Sequence, residues 1–177
     1  MTTVTKIAIT GPESTGKSQL CEQLAAHYQS ACVPEVAREY MENLQGSYRQ
    51  QDILRIAKMQ IAREKQAEKG AKELLFCDTE LIVTKIWEQY KYQTCHPWIL
   101  DQIKKNRYDL YLLCNVDLPW EPDPLREHPD KREFFFNWFR KELEDYGFPY
   151  RIIGGQKGER LANAIHAIDA FMFSEDE

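Results

Sequence analysis

The sequence predicts an α/β fold, a three-layer sandwich with helices on both faces of a five-stranded parallel sheet. Three observations lead there. Short apolar runs rich in β-formers alternate with longer amphipathic segments along the 177 residues, the pattern of strands joined by helical crossovers. Gly11-Pro-Glu-Ser-Thr-Gly16-Lys17-Ser18 fits G-x-x-x-x-G-K-[ST] in full and follows the apolar run Val4 to Thr10, where a buried first strand belongs. The length suits one well-cored domain and is short for two, so a single domain over 1–177 is expected.

The first strand is expected at Lys6 to Thr10, and the helix after the glycine loop at Lys17 to Gln29, with Leu20, Leu24 and Tyr28 on one face. A second strand follows at Cys32 to Val36, then a helix from about Arg49 to Lys69 and a third strand at Leu74 to Cys77. Helices at about Glu80 to Tyr90 and at His96 to Lys105 lead to a fourth strand, Asp109 to Cys114. Leu118-Pro-Trp-Glu-Pro-Asp-Pro-Leu-Arg126 cannot be helix or central strand, because its three prolines remove N–H donors within six residues. It forms a loop, about 117–130, past the end of a strand, the edge where open α/β sheets bind ligands. A helix from Asp130 to Tyr146 places Phe135, Trp138, Phe139 and Leu143 on its core face, leaving Phe134 and Phe136 to pack under the loop or to form a subunit contact in a homo-oligomer. A fifth strand, Tyr150 to Ile153, and a helix from Gly158 to Phe173 with Leu161, Ile165, Ile168 and Met172 at helical spacing complete the sheet.

The glycine loop is the P-loop of nucleoside-triphosphate-binding proteins, so the fold is a P-loop NTPase sandwich and the expected cofactors are ATP and Mg²⁺. Gly11, Pro12, Glu13, Ser14, Thr15, Gly16, Lys17, Ser18 and Gln19 are the candidate triphosphate site. Glycines let backbone N–H groups converge on phosphate, Lys17 adds charge at the β/γ oxygens, and the Ser18 hydroxyl takes a place on Mg²⁺. Asp78 ends an apolar strand, as a magnesium-side carboxylate does in such proteins, although a helix N-cap at Asp78 or Thr79 explains it too. Glu35, Arg38, Glu39 and Tyr40 crowd two carboxylates, a guanidinium and a phenol behind the second strand, and are the candidate acceptor site. Glu35 or Asp78 would orient the acceptor hydroxyl. Arg126 on the proline loop, with Lys131 and Arg132 beyond it, would close over the transferring phosphoryl group, and Trp120 would stack on a flat ring or latch the loop. The turn Gly154-Gly155-Gln-Lys-Gly158-Glu-Arg160 borders the adenine or is only a turn.

Net charge is −5 with no long basic run, so neither nucleic acid nor an anionic membrane is an expected partner; small ligands are. No run of about 18 apolar residues occurs and the N-terminus lacks a signal-peptide core, so a cytoplasmic location is expected. Five cysteines without a C-x-x-C pair fit reduced thiols.

Taken in order, G-P-E-S-T-G-K-S, V-P-E-V-A-R-E-Y, F-C-D-T-E, D-L-Y-L-L-C-N-V-D-L-P-W…L-R and G-G-Q-K-G-E-R-L-A-N-A resemble the motifs of the ribosylnicotinamide kinase domain of NadR-type proteins, over about residues 5 to 170. The resemblance implies phosphorylation of the 5′-hydroxyl of nicotinamide riboside to nicotinamide mononucleotide in NAD salvage. It implies acceptor binding at Glu35, Arg38, Glu39 and Tyr40, a magnesium-side role for Asp78 and a lid arginine at Arg126. The family's Asp-Thr-Asp reads Asp78-Thr-Glu80 here, one carboxylate arm longer. The upstream nucleotidyltransferase and DNA-binding regions of larger members find no counterpart before the P-loop at residue 11. Other acceptors, such as thiamine or another nucleoside, stay open, as does a regulatory ATPase module without an acceptor. A mechanical AAA-type ATPase is disfavoured because Thr79 separates Asp78 from Glu80.

Overall fold

A computed structural model describes residues 3–174; the ends of the expected 1–177 domain lie outside the described residues. Five strands, β1 (Thr5–Thr10), β2 (Ala31–Val33), β3 (Leu74–Asp78), β4 (Leu110–Cys114) and β5 (Tyr150–Ile153), form one parallel sheet in the order β2-β3-β1-β4-β5. β3 and β4 are buried throughout and β1 from Ile7 onward, as parallel strands covered on both faces must be. Side chains alternate between two cores. Ile7, Ile9, Phe76, Leu110 and Leu112 face α1 (Lys17–Tyr28) and α7 (Gly158–Ser174). Ala8, Leu75, Cys77, Tyr111 and Leu113 face the opposite layer, formed by α3 (Gln50–Glu68), α4 (Leu81–Tyr92), α5 (Pro97–Lys105) and α6 (Arg132–Tyr146).

The chain leaves central β1 for the β2 edge, returns to β3, then crosses to β4 on the other side. This reversal opens a crevice at the carboxyl ends of β1, β3 and β4.

Three expectations need correction. The second strand stops at Val33, because Pro34 has no N–H for the ladder, and a helix absent from the sequence reading, α2 (Val36–Asn43), starts two residues later. Phe136 packs against the core, whereas Phe134 is exposed. Cys21 of α1 and Cys32 of β2 form a disulfide, their Cα atoms 6.2 Å apart because α1 lies directly on this edge of the sheet; Cys77, Cys95 and Cys114 are free. No helix among the described residues is long and apolar enough to cross a membrane.

Candidate active site

The P-loop turns between β1 and α1. Gly11 has φ +133°, and a Cβ there would stand 3.0 Å from the Cys114 carbonyl oxygen of β4, so a larger residue would push the loop off the sheet. Gly16, at φ 76°, is the N-cap of α1 and aims the helix start into the crevice. Lys17 Nζ and Thr15 Oγ1 donate to the Pro12 carbonyl at 2.6 and 2.8 Å, which folds the lysine across the mouth of the loop.

Beside this cradle, Ser18 Oγ donates to Asp78 Oδ2 at 2.5 Å, while Asp78 Oδ1 is buried without a partner. Burial raises the Asp78 pKa, opposed by the Ser18 hydrogen bond and the Lys17 charge. An orphaned carboxylate oxygen next to a hydroxyl suits a hard divalent cation, and Mg²⁺ takes few protein oxygens together with waters and phosphate. Among the described residues no group of three His, Cys, Asp or Glu could hold an ion alone. Ser18 and Asp78 therefore fit a magnesium ion that arrives with a triphosphate.

A cavity of about 790 Å³ opens from the cradle. Its far wall is aromatic, built from Tyr48 ahead of α3, Trp87 and Tyr90 of α4 and Phe135 of α6. Trp87 Nε1 donates to the Tyr48 hydroxyl at 2.9 Å, and Tyr90 packs edge-on against His128 and Phe135, 5.0 Å from each. Glu35 and Arg38, one helical turn apart at the start of α2, share a face of that helix and also line the cavity. Burial raises the Glu35 pKa, and the charges it senses next are Lys17, which lowers it, and Asp78, which raises it. Gln60 of α3 accepts from Val36 N at 3.2 Å and so fixes the start of α2 beside Glu35.

The proline loop covers the cavity. Arg38 pairs with Asp123 at 3.1 Å, and Arg126 Nη1 lies 3.4 Å from Ser14 Oγ while also donating to the Glu121 carbonyl. Arg132 donates to the carbonyls of Ser14 and Leu118 at 3.0 and 2.8 Å. A second cleft of about 270 Å³ runs past Gly16, Gln19, Gln23, Leu118 and Lys157 to Arg160. Arg160 is buried, pairs with Asp117 and donates to the carbonyls of Ile153 and Gly155, both at 3.1 Å, so the Gly154-to-Arg160 turn is stapled to the end of β4.

The cavity thus brings together Gly11 through Gln19, Glu35, Arg38 and Arg126, with Asp78 behind Ser18. Glu39, Tyr40 and Trp120 do not line it. The first two are held by partners outside it: Glu39 pairs with Arg63 at 2.6 Å and the Tyr40 hydroxyl donates to Asp52 at 2.7 Å. The Trp120 ring instead lies 5.8 Å from the Arg132 guanidinium. The sequence reading missed Tyr48, Trp87 and Tyr90. Trp87-x-x-Tyr90 was a readable signal, two large aromatics a turn apart on one helix; Tyr48 carried none. Glu80 lines the cavity but is committed to structure, accepting from Thr10 Oγ1 at 2.8 Å and Ile82 N at 2.6 Å, and burial pushes its pKa up to about 7.

A family model described as an AAA domain matches residues 6–160. The chain is 30% identical over 138 residues to the trifunctional NAD biosynthesis/regulator protein NadR of Escherichia coli (strain K12), a match covering 74% of this chain and 34% of that protein. The chain thus spans about a third of the length of the curated relatives it matches. A crystal structure of NadR protein in complex with NR superposes with a TM-score of 0.84 at 22% identity, covering 96% of this chain and 52% of that one. The structure of deoxyadenosine kinase from M. mycoides with products dCMP and dCDP superposes with a TM-score of 0.67 at 14% identity, covering 93% and 99%. These likenesses bear out the α/β P-loop fold. With the P-loop, strand order and family match in agreement, the chain belongs to the AAA domain family of P-loop proteins and is related to NadR.

Proposed function

We propose that the chain is an ATP-dependent small-molecule kinase that transfers the γ-phosphoryl group of ATP to the 5′-hydroxyl of nicotinamide riboside, giving nicotinamide mononucleotide for NAD salvage. One observation carries the reading: the phosphate cradle and an aromatic-walled chamber are a single cavity of about 790 Å³ under a loop that brings an arginine to the cradle. A module that only hydrolyses ATP has no use for such a chamber. The Trp87 and Tyr90 rings suit a flat cationic pyridinium through stacking and cation–π attraction, and the relation to NadR supports the same acceptor.

The mechanism follows from placement. Backbone N–H groups of the loop and Lys17 hold the β/γ oxygens in line with the acceptor. Glu35, desolvated between Lys17 and Asp78, orients the acceptor hydroxyl and takes its proton as the new P–O bond forms. Arg126 faces the charge that develops on the transferring group, and the covering loop keeps water out. Magnesium bound at Ser18 and Asp78 would neutralise phosphate charge. The cleft between Gly16, Gln19, Lys157 and Arg160 is the proposed seat of the adenine. On this reading 1–177 is one kinase domain, with its lid at about 117–130.

ADP release from Mg-ATP across nicotinamide riboside, nicotinic acid riboside, ordinary nucleosides and thiamine tests the proposal. Strong stimulation by nicotinamide riboside is expected. Stimulation by another member alone would reassign the acceptor, and none at all would leave a P-loop ATPase.

A further inference from the structure

We propose that Glu13, inside the P-loop motif, is a positioning residue that latches the proline lid onto the phosphate cradle. A carboxylate is the wrong charge to bind a triphosphate, and here its oxygens are committed elsewhere. Both accept from Glu127 N at 3.2 Å, and Oε2 also accepts from His128 N at 3.1 Å. These are the two residues that follow Arg126, so the latch closes on the backbone next to the lid arginine. Ser14 continues the seam. Its φ of 57° is left-handed without glycine, a conformation that persists where surroundings enforce it. Its hydroxyl accepts from Glu121 N at 2.9 Å and stands 3.4 Å from Arg126 Nη1, and its carbonyl accepts from Arg132 at 3.0 Å. Two adjacent residues of the loop that cradles phosphate thus face the lid.

The consequence for catalysis rests on the kinase reading; the latch itself does not. An unlatched lid leaves Arg126 unfixed and admits water. Water then forms the new bond to the γ-phosphorus, the bond to the ADP oxygen breaks, the water proton passes to solvent, and free phosphate leaves in place of phosphorylated acceptor.

The test compares wild type, Glu13→Ala and Glu13→Gln. Trypsin cleavage after Arg126, mapped by mass spectrometry in the ligand-free chain, reads the latch without acceptor or turnover; cleavage after exposed Lys69 at the far end of α3 is the internal control. Loss of the hydrogen bonds to a charged acceptor is expected to speed cleavage after Arg126 about five- to a hundredfold in Glu13→Ala, with Lys69 unchanged. Glu13→Gln, which keeps a neutral acceptor oxygen, is expected to fall between, and carries the comparison if the alanine variant does not fold. Affinity for AMP-PNP is expected to stay within about threefold, while the ratio of ADP released to acceptor phosphorylated rises. Wild-type cleavage after Arg126 in the variants would overturn the proposal. So would a loss of AMP-PNP affinity as large as the gain in cleavage, which would make Glu13 part of the cradle itself. If wild type phosphorylates no acceptor while the cleavage result holds, the kinase reading falls and the latch stands.

Discussion

At the P-loop end of the cavity one continuous segment, Gly11 to Ser18, lines the wall, whereas the end proposed to take the acceptor gathers Glu35, Tyr48, Trp87 and Tyr90 from separate segments. The difference is chemical. Phosphate is recognised largely by backbone N–H groups, so the constraint falls on loop conformation and is written into consecutive residues as glycines and a lysine. A small-molecule acceptor is recognised by side-chain shape and ring faces, which tertiary packing assembles from distant parts of the chain.

Substitutions at the two ends should therefore fail differently. Lys17→Ala removes the charge at the transferring group and is expected to lower kcat about a hundred- to a thousandfold or more, with the fold retained by circular dichroism; near wild-type turnover would dismantle the phosphate end. Glu35→Gln, where the two ends meet, is expected to lower kcat about a hundredfold with little change in ATP affinity, and unchanged kinetics would move the base role to Asp78. Trp87→Ala should raise the acceptor KM about five- to a hundredfold at nearly constant ATP KM, with Trp87→Phe milder. A parallel rise in ATP KM would erase the distinction between the ends.

The smallest expected effect concerns the frame behind the acceptor end. Glu64 is buried, accepts from the Tyr108 hydroxyl at 2.7 Å and from Gln60 at 3.0 Å, and faces Lys6 at 3.8 Å with Glu68 beyond. Burial raises its pKa above the ordinary 4.5, so the folded chain holds a proton that the unfolded chain has released. Its contribution to stability is then full below about 4.5 and fades as pH rises through the folded pKa. Glu64→Gln should flatten that decline in urea midpoints taken from pH 4.5 to 7; an unaltered slope would place the titration elsewhere.

The same contrast explains what could be read from sequence. Alternating apolar runs and the glycine loop specify the parallel sheet and its phosphate site, because both follow from local periodicity and local backbone demands. Helix α2 was hidden, since eight residues with three charges, Arg38, Glu39 and Glu42, next to a fourth at Glu35, read as a polar junction, and the rotation that separates Arg38 from Glu39 and Tyr40 follows only once it is helical. Tyr48 reaches the site because α3 packs against α4, which no short-range pattern encodes. Glu13 reads in sequence as one more cradle residue; only the folded chain sets the lid backbone against its carboxylate.

Mass spectrometry of the acceptor after incubation of the purified chain with Mg-ATP and nicotinamide riboside tests the central claim most directly. The account predicts one phosphoryl group added to the riboside at the 5′ position, one per ADP formed, and its loss in Lys17→Ala. Unmodified riboside beside free phosphate would contradict it.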